Sequence, residues 1–141
     1  MTRYEFVDSM PKALDQMFLE GFILVQPNAV PTPIAQVGAV DVLPSDWAYP
    51  AVVSLMEDYG VNLVYPDRTF RGNRALTAGQ CIEYLNSILA SNLQLSDLSP
   101  YLKIDPSIST FEEQPVPRGT FAVFLLRSLQ EARDRGALFR E

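Results

Sequence analysis

The residue types that perform acid–base and nucleophilic chemistry are sparse in this sequence. It contains no histidine and a single cysteine, Cys81. Without histidine, the Ser-His and Cys-His pairs of nucleophilic enzymes and most zinc sites cannot be built. The glycine-rich fingerprints GxxxxGK and GxGxxG, which cradle phosphate groups, do not occur either. We therefore expect a protein that is not an enzyme and that uses no metal and no cofactor.

The remaining candidates for catalysis are two pairs of adjacent acids, Glu57-Asp58 and Glu112-Glu113, and the thiol of Cys81. Adjacent side chains on a helix point in different directions, so the two carboxyl groups of each pair are not expected to act together as general acid and general base. Cys81 falls on the apolar face of a predicted helix, with no nearby base that would lower its pKa. We expect solvated acids and a cysteine that is part of the core.

Three arginines, Arg68, Arg71 and Arg74, recur through one polar stretch of a chain whose formal net charge is −6. Their spacing could create a local site for an anion or a carboxylate, and a solvated loop is the alternative interpretation. The sequence has no run of Lys and Arg, which the binding of a phosphate backbone requires. Nucleic acid is therefore not an expected partner.

Apolar periodicity predicts the helices that must position these groups. The first is a short amphipathic helix that ends before Gly21, has Asp8 or Ser9 as its cap and carries Ala13, Leu14, Met17 and Phe18 on one face. The second ends at Gly60 and is capped by Ser45 or Asp46, with Pro50 in its first turn and a stripe formed by Trp47, Ala51, Leu55 and Tyr59. Residues 61–76 are then predicted to be a loop with one buried aromatic residue, Phe70.

The third helix is predicted from the capping box Thr77-Ala78-Gly79-Gln80, followed by the apolar stripe Cys81, Ile82, Leu85, Ile88 and Leu89. Residues 92–115 are turn-rich. The last helix begins near Pro117, ends at Gly136 and carries Phe121, Phe124, Leu125 and Leu129. No strand pattern is present, so the sequence predicts an all-α fold.

The connections are long and rich in proline. The uncharged run Gly21–Val40 has the length of a membrane span, but Pro27, Pro31 and Pro33 would break a helix there, so we interpret it as an extended linker and predict no transmembrane segment. The N-terminus shows no signal peptide, which favours the cytoplasm. A length of 141 residues suits one domain, residues 1–141.

Two stretches repeat each other: Thr69-Phe70 with Leu76-Thr77-Ala78-Gly79-Gln80, and Thr110-Phe111 with Val116-Pro117-Arg118-Gly119-Thr120. The first lies within a longer pattern that resembles an S-layer-homology (SLH) motif, formed by Asp41-Val42, Asp46-Trp47-Ala48-Tyr49, Ala51, Leu55, Gly60-Val61, Tyr65-Pro66-Asp67, Thr69-Phe70-Arg71, Leu76-Thr77 and Leu85. The resemblance divides the chain into an N-terminal helix with an extended segment (1–40), one SLH-like motif (41–90) and a degenerate second repeat (91–141).

The resemblance implies a small bundle of helix-loop-helix repeats with pseudo-threefold packing, whose grooves bind cell-wall polysaccharide at the bacterial envelope, without catalysis. SLH motifs usually carry Thr-Arg-Ala-Glu at the start of the second helix, where the arginine contributes to binding an anionic glycan. Here the two copies read Thr77-Ala78-Gly79-Gln80 and Pro117-Arg118-Gly119-Thr120, so Arg118 is the arginine that these copies retain.

The residues expected to bind a ligand are therefore Asp46, Trp47, Tyr65, Asp67 and Arg118. Two interpretations of Trp47 stay open, a buried core anchor and a residue that lines a groove. Tyr65-Pro66-Asp67 is expected to form a turn. Two functions also stay open: an anchor bound to cell-wall polysaccharide, which implies an envelope or periplasmic location, and a protein-binding adaptor or structural subunit that reuses the SLH fold without binding glycan.

Overall fold

The computed structural model describes residues 1–19, 39–43, 45–89 and 91–134. Within these ranges the fold is mainly helical, with an isolated β-bridge between Thr77 and Pro115 and no strand, which confirms the all-α prediction. The α-helices are α1 (Arg3–Leu19), α2 (Tyr49–Tyr59), α3 (Ala78–Leu89), α4 (Leu95–Leu98) and α5 (Arg118–Asp134). Two short 3-10 helices span Ser99–Tyr101 and Phe111–Glu113. None of the described helices is long and apolar enough to cross a bilayer.

The described chain separates into two compact units. One comprises residues 2–74, and the other comprises residues 75–141 together with Met1. Most of the linker predicted at Gly21–Val40, and the helix end predicted at Gly136, lie outside the described residues. That the whole chain forms one domain stays a prediction.

Helix α1 begins earlier than the sequence analysis predicts. A capping box starts it: the Thr2 N–H donates to Glu5 Oε1 (3.0 Å) and the Glu5 N–H donates to Thr2 Oγ1 (3.1 Å). The caps predicted at Asp8 and Ser9 are therefore wrong, because both residues lie inside the helix, where the Ser9 hydroxyl donates back to the Glu5 carbonyl (2.8 Å). The early turns of α1 bury the apolar residues Phe6, Val7 and Met10, and α1 packs against α2.

Helix α2 begins at Tyr49, which places Pro50 in its first turn, as predicted, and it ends at Gly60 with φ 67°. Its cap is Ala48, not Ser45 or Asp46. Asp46 instead closes a turn, since its Oδ2 accepts the Leu43 N–H (2.8 Å). Trp47 precedes the helix and is 64% exposed, so its interpretation as a buried core anchor is wrong; Ala48 takes the buried position beside it.

Helix α3 is as predicted. The Thr77 N–H donates to Gln80 Oε1 and the Gln80 N–H to Thr77 Oγ1, both at 3.2 Å, which closes the expected capping box. The predicted apolar stripe is buried along its length, and Tyr84 joins it. Local sequence signals fix this helix because the cap and the buried face both lie within its own residues.

Cys81 is fully buried in the α3 stripe, and burial raises the pKa of its thiol to about 12. Since the thiolate is the reactive form, we expect negligible labelling of the native protein by a thiol reagent at pH 8 and complete labelling in denaturant. Absorbance of the released thiol product measures both. Rapid labelling of the native protein would contradict this burial.

Between α3 and α5, a buried glutamine side chain holds a loop together through hydrogen bonds to its backbone. Gln114 is 1% exposed, and its side chain accepts the Asp105 N–H (2.9 Å) and donates to the Asp105 carbonyl (3.0 Å). These bonds hold residues 105–114 as a compact loop in which the 3-10 helix 111–113 packs on α3. Helix α4 lies in the stretch 92–115 that the sequence predicts to be turn-rich, and it is a single turn with a capping box from Gln94 and Asp97.

Candidate functional site

The candidate site lies in the unit of residues 2–74, where the loop 61–74 folds over the first turn of α1. Two backbone bonds join them: the Arg3 N–H donates to the Arg74 carbonyl and the Tyr4 N–H donates to the Gly72 carbonyl, both at 2.9 Å. The first N–H groups of a helix have no partner inside the helix. The loop therefore satisfies donors that α1 would otherwise leave open.

Arg3 anchors this loop from within the core. Its side chain is 1% exposed, with Nε donating to the Phe70 carbonyl (2.9 Å) and a terminal nitrogen donating to the Leu63 carbonyl. The guanidinium also lies over two rings, 4.9 Å from the centroid of Tyr65 and 5.1 Å from that of Phe70. Because these partners hold it inside the fold, Arg3 is a structural residue and does not face a ligand.

An aromatic stack runs from this core to the surface. The Tyr4 ring lies 5.4 Å from Phe70, edge to face, and 5.4 Å from Trp47, tilted by 45°. Phe70 is buried, as predicted, Tyr4 is half-buried and Trp47 is exposed. Edge-to-face and tilted pairs are favourable ring geometries, so the Tyr4 ring gives the exposed indole a packing partner.

A charged cluster borders the stack at residues 65–71. The Arg71 guanidinium lies 4.2 Å from the Tyr65 ring centroid and donates to Asp67 Oδ2 (2.8 Å) and to Thr69 Oγ1 (2.9 Å). Asp67 Oδ1 accepts the Thr69 N–H and hydroxyl, which gives the expected turn. Hydrogen bonds from Thr69 and Arg71 lower the pKa of Asp67 to about 2. Asp67 is therefore an anion at neutral pH.

The backbone of this cluster is held by Asp41. Its carboxylate oxygens accept the N–H groups of Phe70 (2.7 Å) and Arg71 (2.9 Å). Arg68 and Arg71 both adopt positive φ, 65° and 56°, an uncommon conformation for residues with a side chain. Asp41 and the Asp67 turn supply the bonds that stabilise this backbone.

We call the exposed Trp47 and the Tyr4 ring that packs on it the Trp47 patch. Of the residues expected to bind a ligand, Trp47 lies in this patch, and Tyr65 and Asp67 lie in the charged cluster of the same unit, where both contact Arg71. Asp46 is half-buried and is engaged in its turn with Leu43. Arg118 belongs to the other unit, where it is the exposed first residue of α5.

Residues 2–5 contribute to this unit in a way that was not predicted from the sequence. Thr2-Arg3-Tyr4-Glu5 has the Thr-Arg-x-Glu pattern that was looked for at residues 77–80 and 117–120, and it begins a helix, as that pattern should. The start of α1 could be predicted from the capping pair Thr2 and Glu5, because both residues are close in sequence. The burial of Arg3 could not be predicted, because its carbonyl partners lie 60 and 67 residues further along the chain.

A cleft lies in the other unit, between residues 93–101 and the second half of α5. Its volume is about 280 Å³. On its wall the Arg127 guanidinium donates to the Tyr101 hydroxyl (2.8 Å), and the Tyr101 ring lies 6.0 Å from Phe124. None of the residues that were expected to bind a ligand lines this cleft.

Two cyanobacterial proteins share short segments with this chain. It is 43% identical over 58 residues to the uncharacterized protein alr4550 of Nostoc, covering 36% of this chain and 10% of the relative. It is 61% identical over 33 residues to the uncharacterized protein sll0772 of Synechocystis, covering 23% of this chain and 6% of the relative. The match thus spans a tenth or less of each relative's length. No protein-family model and no solved structure matches the chain.

Proposed function

We propose that the protein is a non-catalytic binding module of the S-layer-homology type that attaches to cell-wall polysaccharide at the bacterial envelope. The observation that carries the proposal is Trp47, a large aromatic side chain that is 64% exposed yet held in place by Tyr4. Burying an aromatic side chain is favourable, so an indole fixed on the surface suits a ligand that covers it.

A sugar ring is such a ligand, because its C–H face is apolar and slightly positive while the face of an indole is negative. A platform that is already ordered also binds at a lower entropic cost than a mobile side chain. Tyr4 provides that order through its contacts with Trp47 and Phe70. The Trp47 patch can thus take one pyranose ring on the indole face.

The charge of the adjoining loop favours an anionic glycan. Residues 65–74 contain three arginines and one aspartate, a local excess of positive charge in a chain of net charge −6. Arg68 and Arg74 are exposed, whereas Arg71 is fixed by Asp67 and Tyr65. Asp67, ionised at neutral pH, accepts hydrogen bonds and has no proton to give, which suits recognition of hydroxyl groups better than acid catalysis.

The test is sedimentation with purified cell-wall sacculi. We expect Trp47→Ala to weaken binding at least about tenfold, as the loss of a central aromatic contact does, while lowering the free energy of unfolding by less than about 1 kcal/mol. Leu43→Ala is the matched control, since Leu43 is also a large exposed apolar residue of the same unit. It should bind like the wild type.

A salt titration and variants that remove exposed charges complete the test. Raising the salt concentration should weaken sedimentation by screening exposed charges, and Arg68→Ala with Arg74→Ala should reduce that salt dependence. If the wild type fails to sediment at low salt, or if Trp47→Ala sediments equally well, the proposal is wrong. Denaturant unfolding of each variant separates lost binding from lost folding.

A protein-binding adaptor is the second candidate function. The observation that favours it is a pair of exposed apolar side chains on α5, Val123 at 54% and Leu126 at 58% exposure. They stand one turn apart on the same helix, so a partner protein that packs on this face would remove both from water.

A further inference from the structure

The cleft between residues 93–101 and the second half of α5 combines an aromatic wall with charged side chains. Phe124, which is buried, and the half-buried ring of Tyr101 form the aromatic part, with ring centroids 6.0 Å apart. The charged lining residues are Asp97, Arg127 and Glu131. An apolar surface with a few polar groups is the usual composition of a small-molecule site, and a volume of about 280 Å³ suits a small ligand.

Arg127 carries a positive charge into this cleft that the protein does not neutralise. Its guanidinium donates to the Tyr101 hydroxyl (2.8 Å), which is a neutral acceptor. It forms no ion pair with a carboxylate of the part of the chain that the structure describes. A guanidinium has more N–H donors than this one bond uses, so the others can bind a ligand carboxylate.

The two carboxylates of the cleft are also available to a ligand. Glu131 follows Arg127 by four residues on α5, which places both side chains on one face of the helix. The two form no ion pair, and the guanidinium contacts Tyr101 instead. Asp97 of α4 accepts the Gln94 N–H through Oδ2 (2.8 Å), a bond that leaves its negative charge in place. The cleft therefore presents one cation and two anions.

This mixture of charges restricts the class of ligand. An anion would gain contact with Arg127 but would meet the like charges of Asp97 and Glu131. A simple cation would have the opposite difficulty. A small molecule that carries both a carboxylate and an ammonium group complements every charge of the lining.

We propose that this cleft binds a free aromatic amino acid. The ligand carboxylate pairs with Arg127, its ammonium group pairs with Glu131 and Asp97, and its ring packs on Tyr101 and Phe124. Aromatic pairs are favourable beyond the area that they bury, which favours an aromatic over an aliphatic side chain. The proposal goes beyond both candidate functions, and its site lies in the unit of residues 75–141, whereas the Trp47 patch lies in the other.

A serine hydroxyl of the lining adds a polar contact. Ser128 is 3% exposed, and its Oγ donates to the Phe124 carbonyl (2.8 Å). Since that bond uses the hydroxyl hydrogen, the oxygen can accept a hydrogen bond from the ligand ammonium group.

The probe is L-phenylalanine, titrated into the ¹⁵N-labelled full-length chain and followed by amide chemical shifts. We expect saturable shifts at the lining residues, with a dissociation constant of about 1 mM or lower for a ligand of this size. Two analogues keep the ring and lack one charge: 3-phenylpropanoate has no ammonium group, and 2-phenylethylammonium has no carboxylate. Each should bind at least about tenfold more weakly, because it loses a charge-assisted contact.

Two variants assign the charges to residues. Arg127→Gln should remove the preference for L-phenylalanine over 2-phenylethylammonium, because the carboxylate has then lost its partner. Glu131→Gln should reduce the preference over 3-phenylpropanoate. A merely structural role for either residue would weaken all three ligands alike. Arg118→Gln is the matched control, since it makes the same change at another exposed arginine of α5, and it should bind like the wild type.

The proposal is wrong if about 10 mM L-phenylalanine causes no saturable shifts at the lining residues. Equal binding of L-phenylalanine and either analogue by the wild type would also overturn it, as would an unchanged preference in Arg127→Gln. Arg127→Gln should still sediment with cell-wall sacculi, and Trp47→Ala should still bind L-phenylalanine. Failure of this proposal and failure of the glycan proposal are therefore distinguishable.

Discussion

Arg3→Ala is expected to lower the free energy of unfolding by about 3–5 kcal/mol. The change removes a side chain that is 1% exposed, and it leaves the carbonyl groups of Leu63 and Phe70 without their hydrogen-bond donor. Each buried carbonyl left without a partner costs about 1–3 kcal/mol, and the vacated volume adds a cavity cost. Urea unfolding followed by circular dichroism measures the loss.

Two variants make that result specific. Arg3→Lys keeps the charge but loses the planar fork that reaches both carbonyls, so we expect about half the loss. Arg74→Ala removes an exposed arginine of the same unit and should change stability by less than about 0.5 kcal/mol. A loss below about 1 kcal/mol for Arg3→Ala would show that the guanidinium does not hold the loop.

Gly72→Ala is expected to cost about 2–3 kcal/mol. A Cβ at this buried position would overlap the ring of Tyr4, which cannot retreat easily because Phe70 and Trp47 flank it. Gly119→Ala is the matched control, since none of the described residues outside its own helix and chain neighbours lies within 4 Å of its Cβ, and alanine is favoured over glycine in a helix. It should leave stability unchanged or raise it by up to about 1 kcal/mol.

A double-mutant cycle identifies the cause. If the Tyr4 ring is what the new methyl meets, Gly72→Ala should cost at least about 1 kcal/mol less in a Tyr4→Ala background than in the wild type. Thermal or urea unfolding of the four proteins supplies the cycle. Equal costs in both backgrounds would place the strain elsewhere in the loop.

The predictable part of the fold is the part whose determinants are local. Helix α3 follows from the Thr77 capping box and a stripe of its own residues, and α2 ends at Gly60 because a left-handed residue closes it. The predicted start of α1 is wrong because the prediction rested on the apolar residues from Ala13 onward. Phe6 and Val7, ahead of the internal Pro11, belong to the same buried face.

The site was less predictable because its geometry depends on contacts between distant residues. Trp47 and Asp67 could be chosen from the sequence, but nothing in it shows that Tyr4 packs on the indole. Trp47 was also predicted to lie within the helix, as a stripe residue, whereas α2 begins two residues later, at Tyr49, with Pro50 in its first turn, and leaves the indole ahead of the helix. Arg118 was chosen by motif alone, and the structure places it in the other unit.

The exposure of Trp47 has a spectroscopic consequence. It is the chain's single tryptophan, so all indole emission of the native protein arises from one water-exposed ring. A ligand that covers the ring would shift this emission toward shorter wavelength and shield it from a soluble quencher such as iodide. The protein thus carries its own fluorophore at the place where the polysaccharide is proposed to bind, and occupancy can be read in solution without a label.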